Sequence, residues 1–341
     1  MKPSKVQFLH NQLYKWYDSN KRILPWRETT DAYHIWISEI ILQQTRVEQG
    51  LPYYLRFIER FPNVKSLAMA HEDEVLRYWQ GLGYYSRARN LHKAAQHIAD
   101  NNNGDFPTTF DAIRSLSGIG DYTAGAIAAF AYNMPYPALD GNVYRVLSRL
   151  INSDIAFDTT TGKKHFRKVA EELLDRDNAR LFDSAIMEFG ALWCVPHSPD
   201  CEKCPLSAIC LAFARNTVDL LPIRKPRPKL RDRYFNYTIY LAGDDLNNTQ
   251  TLIEQRQDND IWKHLWEFPL HEAESLTETD KPYVDLTHIL SHQRLHARFI
   301  INKVSELPQL QGTKAVTMNE LDDYALSRLT LNALSKLLPR I

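Results

Sequence analysis

All four cysteines of this chain lie within one short stretch, with the spacing C-x6-C-x2-C-x5-C, at Cys194, Cys201, Cys204 and Cys210. Four soft thiolates in one loop can hold either a zinc ion or a four-iron cluster. Structural zinc sites usually pair two C-x2-C knuckles across about a dozen or more residues, whereas only Cys201 and Cys204 form such a pair here. The spacing therefore predicts a [4Fe-4S] cluster held by all four cysteines, with zinc as the alternative.

The remainder of the sequence has the character of an intracellular protein. The N-terminal stretch carries Val6, Leu9, Leu13 and Trp16 at helical spacing and lacks the unbroken apolar core of a signal peptide. No stretch approaches the roughly 20 apolar residues that a membrane span requires. We therefore expect a cytoplasmic protein with no membrane association, whose cysteines stay reduced rather than form disulfides.

A change of periodicity divides the chain into two parts. At 341 residues it is long enough for two packed domains. Apolar residues recur at helical spacing in segments 33–47, 91–98 and 124–131, so residues 1–220 are predicted to be all-α. We predict a connector over 221–233.

Residues 234–341 form the second predicted domain. Segments 237–241, 251–255 and 298–304 show strand patterns, and the tail 325–338 has leucines on one helical face. This mixture predicts a small α/β domain.

The distribution of charge supports a connector between the domains. The chain has 41 Lys and Arg and 41 Asp and Glu, so its formal net charge is zero. The segment Arg224–Arg233 nevertheless holds six basic residues, one acid and two prolines. Prolines favour an extended linker, although a basic cluster can also bind phosphate.

A glycine-containing turn in the helical part offers a phosphate site. The segment Leu116-Ser117-Gly118-Ile119-Gly120-Asp121 lies between predicted helices 110–114 and 122–131. Glycines let the backbone approach a ligand, and the N-terminus of the following helix attracts anions. Taken alone, such a turn is equally compatible with a plain helix connection.

The hairpin, a downstream Leu139-Asp140-Gly141-Asn142-Val143 segment and the four cysteines together resemble the endonuclease III superfamily of DNA glycosylases. Within it, segments 24–27 (LPWR), 35–39 (IWISE), 42–45 (LQQT) and 81–90 (GLGYYSRARN) are similar to the MutY family of adenine glycosylases. The resemblance is nearly complete through Cys210 and thinner beyond it.

This resemblance implies a multi-domain fold. Its first part is an all-α helix-hairpin-helix glycosylase domain with an iron–sulfur loop at 194–210, and its second is a C-terminal α/β MutT (Nudix)-like domain. It also implies a monomeric base excision repair enzyme that flips adenine out of A:8-oxoguanine or A:G mispairs in double-stranded DNA.

The resemblance assigns the chemistry to two carboxylic acids, Glu39 and Asp140. Glu39 lies in an apolar segment, where burial raises a carboxyl pKa and keeps a proton available for adenine N7. Asp140 is expected to stay ionised beside the sugar cation, and Asn142 to orient Asp140 and the attacking water. Tyr122 occupies the position where strand-cleaving relatives carry a Schiff-base lysine, so we expect an abasic product without efficient strand cleavage.

Other residues are expected to contact DNA. Gln44 corresponds to a wedge at the mismatch and Tyr84 to a residue that stacks against the partner base, while Trp26 and Arg27 belong to the implied adenine pocket. The glycines Gly118 and Gly120 face phosphate, and the cysteine loop presents Lys203 on a DNA-facing surface.

The C-terminal part is expected to recognise the lesion rather than hydrolyse nucleotides. The metal-binding R-E-x-x-E-E pattern of MutT enzymes is missing from the sequence, which has only His271-Glu272-Ala273-Glu274 in that region. The family's Phe-Ser-His loop corresponds to Leu290-Ser291-His292, and the leucine removes a stacking contribution of about 1 kcal/mol.

Two further functions compete with this interpretation. One is an endonuclease III-like glycosylase for oxidised pyrimidines, which Tyr122 and the appended domain disfavour. The other is a non-catalytic iron–sulfur DNA-binding sensor, which would need neither Glu39 nor Asp140.

Overall fold

A computed structural model describes residues 1–43, 45–226, 229–243, 248–257 and 260–337. Its α-helices are α1 (Pro3–Asn20), α2 (Ala32–Ile41), α3 (Val47–Arg60), α4 (Val64–Ala68), α5 (Glu72–Trp79), α6 (Ser86–Asn102), α7 (Phe110–Arg114), α8 (Asp121–Tyr132), α9 (Gly141–Ile151), α10 (Thr160–Leu173), α11 (Ala179–Leu192), α12 (Leu211–Ala214) and α13 (Arg328–Leu337). Its strands are β1 (Arg231–Ala242), β2 (Gln250–Gln255), β3 (Trp266–Glu267), β4 (Leu270–Ala273), β5 (Tyr283–Ile289), β6 (Gln293–Val304) and β7 (Thr313–Thr317).

The chain forms two compact units. The first comprises residues 1–46, 63–65 and 94–226, and the second comprises residues 47–62, 66–93 and 227–341. Within the described part of 1–220 the regular elements are all helical, as predicted. No helix among the described residues is long and apolar enough to cross a membrane.

Local caps determine where several helices of the first unit begin. The Asp31 carboxylate accepts the backbone N–H of Tyr33 at 2.8 Å at the start of α2. Thr109 caps α7 and Thr159 caps α10 in the same way, because a short polar side chain can satisfy a free helix N–H group. The predicted single helix over 33–47 is wrong: α2 ends at Ile41 and α3 begins at Val47.

Helix α8 packs at the centre of the first unit, against α2, α7 and α11. It is lined by buried small residues, and a Cβ atom added to Gly125 would lie 3.1 Å from the Pro137 carbonyl oxygen. Small side chains let neighbouring helices and loops approach α8 closely, which brings the segments that carry the predicted acids together.

The second unit contains a mixed sheet with strand order β3-β2-β1-β6-β5, to which β4 adds beside β1 and β7 beside β2. Strands β1 and β6 are parallel, and the other pairs are antiparallel. Helix α13 packs against β5. The mixed α/β character of this part was predicted, and the predicted strands fall within β1, β2 and β6.

The extended connector is shorter than the sequence suggested. Strand β1 already begins at Arg231. Arg233 is held by Asp260 and Glu272, each at 2.6 Å, so this part of the basic run is engaged within the second unit rather than free in solvent.

Candidate active site

Glu39 is a buried acid with one dedicated hydrogen-bond donor. It lies on α2 with 4% of its surface exposed, between the buried residues Ile37 and Ile40. The Tyr122 hydroxyl, on the first turn of α8, donates to Glu39 Oε2 at 2.6 Å. The packing of α2 against α8 therefore brings together two residues that are distant in sequence.

Burial raises the pKa of the Glu39 carboxyl group, as predicted. The positive charge of Arg27 and the hydrogen bond from Tyr122 oppose this rise, while the negative charge of Asp140 adds to it. The site thus favours a protonated Glu39 that remains able to release its proton.

Asp140 stands at the start of α9 and is held at both carboxyl oxygens. Oδ1 accepts the Val143 backbone N–H and Oδ2 accepts the Asn142 side-chain amide, both at 2.7 Å. The Asp140 carboxylate, which we predicted to be catalytic, is therefore also the N-cap of α9. Burial raises the pKa of Asp140 above its ordinary value, and these hydrogen bonds and the charge of Arg145 oppose that rise only in part, so the ionised form that we expected stays a prediction.

Arg145 is a residue that the sequence analysis missed. Its guanidinium donates to Asn142 Oδ1 at 2.9 Å, to the Gly190 carbonyl at 2.6 Å and to the Cys194 carbonyl at 2.7 Å. Arg145 thereby links the amide beside Asp140 to the first residue of the cysteine loop. A signal was present, because Arg145 and Arg149 are spaced i, i+4 on a helix whose other buried residues are mostly apolar.

Gly190 allows α9 and α11 to meet at the site. A Cβ atom at this position would lie 2.8 Å from Asn142 Cβ and 2.9 Å from its carbonyl oxygen. These distances are shorter than real Cβ contacts, so any side chain would displace Asn142. Sequence alone did not single out this glycine.

Trp26 and Arg27 also belong to the first unit. Trp26 is buried, and the Arg27 guanidinium lies 4.2 Å from the centroid of the Phe130 ring. Arg27 also donates to Met187 Sδ at 3.8 Å. Its charge acts on Glu39, which is consistent with the predicted pocket.

The predicted hairpin forms between α7 and α8. Gly118 adopts φ +77°, a conformation that favours glycine, and Gly120 immediately precedes α8 without a side-chain cap. Both glycines are exposed. The N-terminus of α8 consequently presents backbone N–H groups that an anion can use.

The four cysteines come together around one cavity, which they line with Arg149 and Trp193. Arg149 donates to Cys194 Sγ and the Leu206 N–H donates to Cys204 Sγ, each at 3.4 Å. Among the described residues, no group of three or more His, Cys, Asp and Glu side chains is arranged to coordinate a metal ion.

The electrostatics of the cysteine cavity suit a cationic group. Burial and, to a smaller extent, the charges of the neighbouring thiolates raise the pKa of Cys204 to about 12, against the opposing effect of the Leu206 N–H. Burial also raises the pKa values of Cys201 and Cys210. Bound iron would offset this mutual repulsion, so the all-sulfur donor set fits the predicted cluster.

Three other predicted DNA contacts lie in the second unit. Tyr84 has φ +47° and is 47% exposed, with the Arg87 guanidinium 5.4 Å from its ring centroid. Ser291 and His292 are exposed in the turn between β5 and β6 and contact each other at 3.1 Å. The predicted wedge residue Gln44 lies outside the described residues.

Comparisons with known proteins agree with this architecture. Residues 37–175 match the HhH-GPD superfamily of base excision DNA repair proteins, and residues 245–336 match the NUDIX domain. The adenine DNA glycosylase of Buchnera aphidicola subsp. Baizongia pistaciae (strain Bp) is 34% identical over 317 residues, covering 87% of either chain. The adenine DNA glycosylase of Schizosaccharomyces pombe is 39% identical over 331 residues, which cover 90% of this chain and 68% of the relative.

The chain belongs to the adenine DNA glycosylase family. It is therefore a DNA glycosylase, an enzyme of base excision repair, as the sequence analysis predicted.

Solved structures support the same fold for this glycosylase. A thermostable thymine-DNA glycosylase is 26% identical with a TM-score of 0.57, covering 62% of this chain and 98% of its own. Endonuclease III in a non-covalent DNA complex is 20% identical with a TM-score of 0.55 over 63% of this chain and 98% of its own, a similarity of fold alone.

Proposed function

We propose that this glycosylase excises adenine mispaired with 8-oxoguanine or guanine in duplex DNA and leaves an abasic site. The observation that supports this most strongly is the pairing of a buried Glu39, whose pKa is raised, with Asp140, whose charge acts on it. Two carboxyl groups in different environments are what cleavage of a glycosidic bond requires.

In the proposed reaction, Glu39 donates its proton to adenine N7 as the C1′–N9 bond breaks. The bonding electrons leave with the base, and the ionised Asp140 stabilises the cation left on the sugar. Water then adds to C1′, and its proton passes to the Glu39 carboxylate. Asn142, held by Arg145 at 2.9 Å, keeps Asp140 oriented throughout.

Tyr122 determines the product of this reaction. Its hydroxyl is engaged with Glu39, and a phenol cannot form a Schiff base with the sugar. We therefore expect hydrolysis of the base without strand cleavage. Borohydride should trap no covalent enzyme–DNA adduct, and such an adduct would contradict the assignment.

Binding of duplex DNA requires the target nucleotide to leave the base stack. In our proposal Gln44 fills the gap, Tyr84 stacks against the partner base, and Trp26 and Arg27 line the pocket for adenine. The exposed turn that contains Gly118 and Gly120 would bind a backbone phosphate through its N–H groups.

We assign lesion recognition to the C-terminal part, through Ser291 and His292. The segment His271-Glu272-Ala273-Glu274 does not form a metal-binding helix, because β4 runs from Leu270 to Ala273 and Glu272 pairs with Arg233. We propose a first domain over residues 1–220 and a second over 234–341, joined by 221–233, although β1 already begins at Arg231 within that connector. We also propose that the protein is a cytoplasmic monomer.

Cys194, Cys201, Cys204 and Cys210 would hold the [4Fe-4S] cluster typical of the family. The cluster, when bound, supplies structural cross-linking of the loop rather than chemistry on the base. Arg145 connects this loop to Asn142, and Lys203, on the surface of the loop, would face DNA.

The test is a single-turnover assay on duplexes that carry adenine opposite 8-oxoguanine, guanine or thymine. We expect fast base release opposite 8-oxoguanine, slower release opposite guanine and little opposite thymine. Glu39→Gln and Asp140→Asn should each lose at least about 100-fold in rate. The exposed Glu171→Gln on α10 is the matched control and should retain full activity.

Equal rates on all three duplexes would refute the mispair specificity, and full activity of Asp140→Asn would refute the mechanism. Release of oxidised pyrimidines instead of adenine would favour the endonuclease III-like alternative. Tight DNA binding with no base release from any duplex would favour the sensor.

A further inference from the structure

Asp183 is a third buried acid that the proposed reaction does not use. It lies on α11 with 1% of its surface exposed. Its carboxyl group accepts the backbone N–H of Ala138, two residues before Asp140. Its Oδ2 atom is fully buried and has no hydrogen-bond partner.

The face of α11 that carries Asp183 also contacts the segment containing Arg27. Arg180, three residues earlier, donates to the Thr29 carbonyl at 2.6 Å and to the Arg27 carbonyl at 3.4 Å. Met187, four residues later, accepts from the Arg27 guanidinium at 3.8 Å. One face of α11 therefore contacts both segments: Asp183 accepts a hydrogen bond from the segment before Asp140, and Arg180 and Met187 contact the segment that contains Arg27.

We propose that Asp183 is a positioning residue of the glycosylase site, which acts as a neutral carboxylic acid and holds the segment that bears Asp140. This inference rests on the proposed function. A neutral group can keep the bond to Ala138 and still offer an O–H on the unpaired oxygen. It also avoids a second buried negative charge beside Asp140, which would be costly without a partner.

The groups that surround Asp183 are consistent with a retained proton. Burial, and to a smaller extent the charge of Asp140, raise the pKa of Asp183 to about 8 against the opposing effects of the Ala138 N–H and Arg27. Burial and, to a smaller extent, the charge of Asp183 raise the pKa of Tyr14 on α1. The Tyr14 hydroxyl nevertheless donates to Asp175 at 2.8 Å, so Asp183 Oδ2 receives no hydrogen bond from it.

The experiment compares Asp183→Asn with Asp183→Ala in the full chain. Asparagine keeps the shape of the neutral acid, an acceptor for Ala138 and a donor at the unpaired position. We expect Asp183→Asn to cleave within about threefold of the wild-type rate and Asp183→Ala to lose about 30-fold in single-turnover rate with unchanged Kd for DNA. A rate loss at constant affinity is not what general destabilisation produces.

Thermal unfolding between pH 5 and pH 9 provides an independent measurement of the proton. Because the pKa is higher in the folded state than in the unfolded chain, the stability due to the proton is present at low pH and lost as pH rises through about 8. Wild type should therefore lose Tm relative to Asp183→Asn as the pH rises.

Parallel Tm curves, equal rate losses in both variants, or a loss confined to Kd would each overturn the proposal. If Asp183→Ala fails to fold, the Tm comparison of wild type with Asp183→Asn still decides the proposal, and a rate loss well beyond threefold in Asp183→Asn would overturn it. A wild-type protein that releases no adenine would refute the proposed function, while the Tm comparison would still decide whether Asp183 holds a proton.

Discussion

Replacing Arg149 by methionine should loosen the cysteine loop while leaving the helices around it intact. Arg149 is 2% exposed on α9, and its guanidinium donates to backbone carbonyls on both sides of the loop. The Val195 carbonyl accepts at 2.7 Å, the Pro196 carbonyl at 3.0 Å and the Leu221 carbonyl at 3.2 Å. Methionine fills a similar volume, but its side chain donates no hydrogen bonds.

The size of the effect follows from which carbonyls lose a donor. Pro196 is exposed, so water can replace the guanidinium there, and the Cys194 carbonyl keeps its bond from Arg145 at 2.7 Å. The Val218 carbonyl, which accepts from Arg149 at 3.1 Å, keeps the Leu221 N–H at 3.3 Å. The Val195 and Leu221 carbonyls lose charge-assisted hydrogen bonds, each of which contributes about 1.5–3 kcal/mol. We expect local opening of the loop to become easier by about 3 kcal/mol, which is a factor of about 100.

Native-state hydrogen exchange of segment 194–210 measures this opening directly, because it reports local rather than global unfolding. Protection of the loop amides in Arg149→Met should fall about 100-fold, while amides of α10 remain unchanged. The matched control is Arg215→Met, an exposed arginine after α12, which should change the opening free energy by less than about 0.5 kcal/mol. A fall of less than tenfold in Arg149→Met would show that these hydrogen bonds do not hold the loop.

Three further outcomes follow from the site. Tyr122→Phe removes a hydrogen bond that lowers the pKa of Glu39, so the pKa of Glu39 should rise. Because Glu39 must be protonated to act, the high-pH limb of the pH–rate profile should move to higher pH. A limb that moves to lower pH would contradict this. Gly190→Ala should displace Asn142 and reduce the single-turnover rate about tenfold with little change in DNA affinity, so equal rates would show that the contact is relieved elsewhere. Cys204→Ser should lower bound iron and DNA affinity together, and full DNA affinity at lowered iron content would separate the loop from binding.

The local elements of this protein could be predicted because their signals lie within short segments. Helix α7 was predicted with its observed bounds, and the strand patterns fell within β1, β2 and β6. The predicted helix over 33–47 failed at Ile41, because an apolar repeat does not show where hydrogen bonding to the preceding turn stops.

By itself, the sequence determined the two-part architecture and the cysteine set, since periodicity and spacing carry that information, while the candidate acids came from the resemblance of short segments to a glycosylase family. Only the tertiary structure decided which groups control those acids. Three such features lie where α2, α8, α9 and α11 pack. They are the hydrogen bond from Tyr122 to Glu39, the arginine that joins Asn142 to the cysteine loop, and the unpaired oxygen of Asp183. A pKa depends on burial and on charges a few ångströms away, and those neighbours are brought together only when distant segments pack.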